Sequence, residues 1–229
     1  LIIKDFLFSW KLPLLNVLFS VYNIVMSEIT FKRKFYDEML EWKKNSNGKS
    51  ALMIDGARRV GKSTIAEVFA KNEYDDYLLI DFVNASKDIK DNFDNLGNMD
   101  VFFRNLFLFA GKGLKSSNSV IIFDEVQKFP RAREAIKYLV KDGRYHYIET
   151  GSLISIKKKS QERVIPSEED KRKMYPMAFE EFLWATGDNV TAPFIKDSIE
   201  KRIPMGDKLH RKIMTTFRTY FAIGGMPQV

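Results

Sequence analysis

At 229 residues the chain holds one large domain, or one domain and the start of another, and its 45% hydrophobic content with 19 Phe supports an aromatic core. Zero Cys excludes disulfides and cysteine-ligated metals and suits a reducing, cytoplasmic compartment. A net charge of +7 permits contact with nucleic acid or anionic surfaces without requiring it; the short clusters Lys32-Arg33-Lys34, Lys157-Lys158-Lys159 and Lys171-Arg172-Lys173 read as solvated surface.

Residues 1–25 are apolar but broken by Lys4, Asp5, Lys11 and Pro13. The longest uncharged run, Leu12 to Ser27, is 16 residues, short of the about 20 a spanning helix needs. We read this stretch as upstream sequence outside the domain, with the true start at Met26; the competing reading is a membrane anchor. We also expect the natural chain to continue past Val229. From Phe31, the spacing of Phe35, Met39 and Trp42 predicts an amphipathic helix, and Asn47-Gly48 a turn.

Ala51-Leu52-Met53-Ile54-Asp55 predicts a buried strand, and Ile65, Val68 and Phe69 a helix face. Between them Gly56-Ala57-Arg58-Arg59-Val60-Gly61-Lys62-Ser63-Thr64 fits the phosphate-loop pattern G-x-x-x-x-G-K-[ST] at every fixed position. Gly56 and Gly61 would let the backbone turn and approach a ligand closely. The loop N–H groups and the helix N-terminus would face the anion. Lys62 is expected at the β- and γ-phosphates and the Ser63 hydroxyl on Mg²⁺. Arg58 and Arg59 are read either as phosphate contacts or as solvent-exposed. A glycine turn ahead of an ordinary helix is the bland alternative.

Residues 77–83 predict a second strand, 84–98 a loop with a broken helix, and Phe102 to Phe109 an apolar helix ended by Gly111. Ser119-Val120-Ile121-Ile122-Phe123 runs into Asp124-Glu125, as a buried strand would on leaving a sheet. Pro130 opens a helix that Asp142-Gly143 stops. Residues 145–150 predict a further strand ending at Thr150-Gly151-Ser152. Residues 155–173 read as a charged surface excursion and Met174-Tyr175-Pro176-Met177 as a last short strand. Helices are expected at Phe179–Ala185 and from Leu209 to the stop at Gly224-Gly225. His146 and His210 lack a partner pattern and are taken as structural.

Alternating strands and helices imply an α/β fold, a parallel sheet with helices on both faces and a small helical segment after it. Ligands of such sheets bind at the C-terminal edge, where Ser63, Asp124 and Thr150 would converge. Asp124 is the candidate Mg²⁺ ligand and Glu125 the candidate base for a water attacking a γ-phosphate. Thr150 and Ser152 are candidates to sense that phosphate or hold the water; the competing reading is a strand-end cap. The strand that lies between the loop strand and the Asp124 strand in sequence, with Glu125 beside Asp124, favours the additional-strand ATPase class over small-molecule kinases.

These residues carry a resemblance. Gly56 to Thr64, Asp124-Glu125-Val126-Gln127, Glu149-Thr150-Gly151-Ser152, Tyr175-Pro176-Met177 with Phe179-Glu180-Glu181-Phe182, and Gly224-Gly225-Met226-Pro227 occur in that order. In this the chain resembles the bacterial and archaeal AAA-type ATPases that carry a C-terminal domain of unknown function. The resemblance implies an ATP-binding AAA-like core over 26–189, with 190–229 a helical lid or linker to a C-terminal part absent from this sequence, winged-helix and nuclease-like in relatives. Many relatives have a Gly-Arg pair where this chain reads Ile165-Pro166-Ser167-Glu168-Glu169, which leaves Arg163 and Arg172 as guesses for any arginine role. The expected function is Mg²⁺-dependent ATP hydrolysis, with an oligomer or protein partner supplying an arginine finger and no membrane partner. Two alternatives stand beside it: a nucleotide switch or scaffold without turnover, and a nucleic-acid-binding module, with nucleic acid engaged through the absent part.

Overall fold

Five parallel strands in the order β2-β3-β4-β1-β5 form the frame: β1 Ala51–Gly56, β2 Asp76–Asp81, β3 Ser119–Asp124, β4 His146–Gly151 and β5 Glu169–Met174. This is a computed structural model that describes residues 31–115, 118–152 and 167–227. The expected N-terminal extension 1–25, residues 155–166 of the charged stretch and Arg163 lie outside the described residues. Every residue of β1 and β3 is buried, which is why both read as continuous apolar runs rather than alternating ones. β4 lies between β1 and β3 in space, with Ile148 opposite both Leu52 and Ile122. The loop strand and the Asp124 strand are therefore separated in space by β4, while β2, the strand between them in sequence, lies at the sheet edge beyond β3.

Helices cover both faces. On one, Phe35, Met39 and Trp42 of α1 (Phe35–Ser46) and Ile65, Ala66, Phe69 and Ala70 of α2 (Lys62–Glu73) pack against Leu52, Ile54, Ile122 and Ile148. On the other, α3 (Lys87–Asp91), α4 (Met99–Ala110) and α5 (Pro130–Asp142) bring Ile89, Phe102, Phe103, Leu106, Ala135 and Leu139 against Met53, Ile80, Phe123 and Tyr147. Local signals set the boundaries: the Asn98 side chain caps α4, and Pro130 opens α5 at a position where no backbone donor is needed.

The expectation for residues 155–173 fails at its C-terminal end. Glu169–Met174 is a full edge strand beside β1, and the segment expected as a strand, Met174–Met177, contributes only Met174. Charged residues form a strand here because each face supplies partners. Arg133 on α5 grips the Glu169 carboxylate with two nitrogens, at 3.1 and 2.8 Å from one oxygen. Lys171 pairs with buried Asp55 at 3.1 Å, and Arg172 bonds the Glu38 carbonyl, Glu41 and Asp170 on the α1 side. Lys171 and Arg172 are thus not simple solvated charges, and Arg172 is committed to structure.

Gly56 has a different reason from the one expected. Its backbone is not left-handed; a Cβ there would overlap the Met174 carbonyl of β5, the close backbone approach that selects glycine within a sheet. Gly56→Ala is expected to lose about 1–3 kcal/mol of stability, as overpacking does. An unchanged denaturation midpoint would refute this.

Glu149 breaks the pattern of the core. It is 0% exposed on β4, and among the described residues neither carboxylate oxygen has a hydrogen-bond partner. Burial pushes its pKa well above the ordinary carboxylate value; Glu169 adds to the rise and Arg133, already engaged by Glu169, opposes it. The folded state therefore holds a proton that the unfolded chain gives up above about pH 4.5. That contribution is whole below the unfolded value and is lost as pH rises, by about 1.4 kcal/mol per unit until the folded value is reached. Glu149→Gln is expected to be more stable than wild type at pH 7.5 and to lose that advantage near pH 4.5. Urea unfolding at the two pH values checks this, and parallel curves would contradict it.

After β5 the chain forms α6 (Phe179–Ala185), α7 (Thr191–Lys201) and α8 (Asp207–Ile223). Phe217 and Tyr220 of α8 pack on Phe179, with ring centroids 4.9 and 5.6 Å away. Tyr220 donates its hydroxyl to the Met177 carbonyl at 2.8 Å, and the Met177 N–H donates to the Gly225 carbonyl at 2.7 Å. Among the described residues no helix is long and apolar enough to cross a membrane.

Candidate phosphate-binding site

The loop Gly56 to Thr64 leaves the C-terminal end of β1 and enters α2 at Lys62. Gly61, at φ 94°, caps the helix in a left-handed conformation that suits glycine, and Arg59 adopts φ 66°. The first turn of α2 contains no acidic residue. Its first N–H groups and helix dipole thus present positive potential with no acid of the same turn against it. Ala57, Arg58, Arg59 and Thr64 are exposed, whereas Val60 and Lys62 are buried.

Lys62 donates its ammonium to the carbonyls of Ala57, at 2.7 Å, and Gly56, at 3.2 Å. Burial pushes its pKa down, while Glu125, then Asp124 and Asp55, hold it up. The side chain is therefore folded across the loop, in the field of the acidic strand tip.

Ser63 donates its hydroxyl to Asp124 Oδ1 at 2.7 Å, joining residues 61 positions apart. Asp124 Oδ1 also accepts the hydroxyl of Thr150, a fully buried residue of β4. The same Thr150 oxygen accepts the Glu125 N–H at 3.2 Å. Thr150 therefore links the two carboxylate residues: its one proton goes to Asp124 and a lone pair to the Glu125 backbone. Glu125 takes φ 55°, rare for a residue with a Cβ, and its carboxylate accepts from Gln127 Nε2. Lys62, Ser63, Asp124, Glu125 and Thr150 are all brought to one sheet edge. Ser152 is buried one step further along, beside Gln127.

Sequence reasoning missed the support behind the loop. Arg33, read as part of a solvated cluster, is 7% exposed. It donates to the Val60 carbonyl in the loop at 2.7 Å, to the Tyr175 carbonyl at 2.7 Å and to Glu181 at 3.1 Å. Glu181 in turn accepts the N–H groups of Lys34 and Ala178. Its partner stands 148 residues away, and no local period announces such a pair. Asp55, at the end of β1, was read only as part of a strand, although it is buried near Lys62. His146 is structural as expected, its Nδ1 2.8 Å from the Tyr74 hydroxyl, and His210 is exposed.

Among the described residues no group of three or more His, Cys, Asp or Glu could hold a metal by itself. The Ser63 hydroxyl and Asp124 carboxylate are two hard oxygen donors at the loop mouth. That donor set fits Mg²⁺, which keeps most of its waters and takes one or two protein oxygens together with phosphate. It would not suit a metal needing a complete protein cage.

A family model described as an AAA domain matches residues 48–183, more than half of the chain. The chain belongs to this AAA domain family. The match starts just ahead of β1 and runs into α6, so the AAA domain includes the loop, Asp124, Glu125 and Thr150 and leaves α7 and α8 outside. An AAA domain is a nucleotide-binding ATPase module in general, which agrees with a phosphate loop on a parallel sheet. No curated protein matches the chain significantly. Among solved structures, a chain from a structure of Drosophila ORC bound to DNA is similar at 11% identity and a TM-score of 0.41, covering 63% of this chain and 91% of that one. So distant a likeness carries no argument about ligands or partners.

Proposed function

We propose that this AAA domain is a Mg²⁺-dependent ATPase that converts ATP and water to ADP and phosphate. The observation supporting it most is the 2.7 Å contact between the Ser63 hydroxyl and the Asp124 carboxylate, with Glu125 next in the chain. Ser63 and Asp124 would hold Mg²⁺, whose contribution when bound is to neutralise charge on the β- and γ-phosphate oxygens. The loop N–H groups and Lys62 bind the phosphates, Lys62 exchanging its loop carbonyls for phosphate oxygens. Glu125 orients a water and takes its proton as the oxygen attacks the γ-phosphorus. The bond to the β,γ-bridging oxygen breaks, and ADP departs with that electron pair. Thr150 fixes the relative position of Asp124 and Glu125. We assign the nucleotide core to 26–189 and a lid or linker to 190–229.

An arginine finger is worth about 10³–10⁵ in rate; Arg33, Arg133 and Arg172 are committed to structural partners, and we assign the finger to a second chain rather than to the exposed Arg58 and Arg59 of the loop. The isolated chain should therefore turn over slowly, and faster with an oligomer or partner that supplies an arginine. The direct test is Lys62→Ala: wild type should bind ATP with Mg²⁺ in calorimetry, and the variant should show no binding at the same concentrations. Retained affinity in Lys62→Ala would overturn the proposal.

A further inference from the structure

Gln127 lies in the short 3₁₀ turn Val126–Lys128 that follows Glu125. The turn is held firmly: the Lys128 N–H donates to the Glu125 carbonyl at 2.8 Å, the Phe129 N–H to the Val126 carbonyl at 3.0 Å, and Val126 is buried in the core. Gln127 is itself buried. Its Nε2 donates to Glu125 Oε2, and Ser152 Oγ stands 3.5 Å from the same nitrogen. A carboxylate only accepts, so the amide must turn its nitrogen towards Glu125, and chemistry settles the O/N assignment.

That orientation leaves Gln127 Oε1 buried without a partner among the described residues. Burying a carbonyl oxygen in this way is unfavourable, and a methionine would fill the same space with no such penalty. Packing alone therefore does not account for an amide at this position. The other end of Glu125 is held as well, through its N–H on Thr150. The tip of β4 thus grips Glu125 twice: Thr150 holds the backbone, and Ser152 stands behind the amide that holds the side chain.

We propose that Gln127 is a positioning residue, which aims the Glu125 carboxylate by holding Glu125 Oε2 and leaves Glu125 Oε1 for the water. This rests on Glu125 acting as the base. Without the amide, Glu125 samples other rotamers, and misplacement on the ångström scale costs up to about 10²-fold in rate. Gln127→Met should accordingly bind ATP with wild-type affinity and lower kcat by about 10–100-fold. In a Glu125→Gln background, where there is no base to aim, Gln127→Met should change the residual rate by less than twofold.

Equal losses in the two backgrounds, or a fall in ATP affinity matching the fall in rate, would reduce Gln127 to a structural residue and overturn the proposal. A readout independent of turnover is the Gln127 side-chain amide in ¹⁵N-resolved NMR of the full chain. Its two protons should be widely separated in shift and should collapse towards free-amide values in Glu125→Ala. Unchanged signals in that variant would mean the contact does not exist. If Glu125→Gln alone released phosphate at the wild-type rate, the base assignment would fail separately, with the amide signals still reporting on the contact.

Discussion

Glu125→Gln should bind ATP as wild type does and release phosphate 10²–10⁴-fold more slowly, the range spanned by general-base catalysis. The substitution keeps the shape of the side chain and an oxygen that can accept from Gln127, and it leaves Ser63, Asp124 and Thr150 in their hydrogen bonds. The loss therefore reports the missing base rather than a collapsed site. Phosphate release under single-turnover conditions, with ATP binding measured in parallel, checks it. A variant that binds and turns over normally would favour the reading in which nucleotide occupancy itself is the output.

Arg33→Ala should destabilise the fold by about 3 kcal/mol, the low end of the cost of breaking a buried ion pair. The Arg33 and Glu181 side chains are each only 6% exposed, so the remaining carboxylate is stranded in a poorly solvated place. The low end applies because Glu181 keeps two backbone donors, Lys34 N–H and Ala178 N–H. Arg33→Lys should recover little, since a single ammonium cannot reach Val60, Tyr175 and Glu181 in the geometry of the planar fork. Urea denaturation of the two variants tests this, and an Arg33→Ala midpoint equal to wild type would contradict it. The same substitution frees the Val60 carbonyl, so ATP affinity should fall along with stability.

What the sequence made legible is chemistry that depends on neighbours in the chain. The loop motif, the apolar runs of β1 and β3 and the stop at Gly143 each lie within a dozen residues, and each appears in the structure where expected. The strand β5 did not show itself, because Glu169-Asp170-Lys171-Arg172-Lys173 lacks the apolar alternation that marks a half-buried strand. Its partners are charges on α5, β1 and α1, visible only once those elements are assembled. Arg33 failed for the same reason: a run of three basic residues predicts a wet face, and only Glu181 shows that the middle one points inward. Gln127 ends the stretch Asp124-Glu125-Val126-Gln127, but its contact with Glu125 goes with the unusual backbone of Glu125, which no residue type there announces.

The return of the chain after α8 sets a mechanical relation. Gly225 sits so tightly on Met177 that a Cβ would overlap the Met177 carbonyl, and Pro227 comes within 3.8 Å of where a Gly61 Cβ would stand. One end of a 17-residue helix is therefore moored beside the phosphate loop, while its other end lies about 25 Å away. A tilt of about ten degrees at the mooring would sweep the distant tip through about 4 Å, so any shift of the loop is enlarged along this helix unless Ile213 and Phe217 hold it in place.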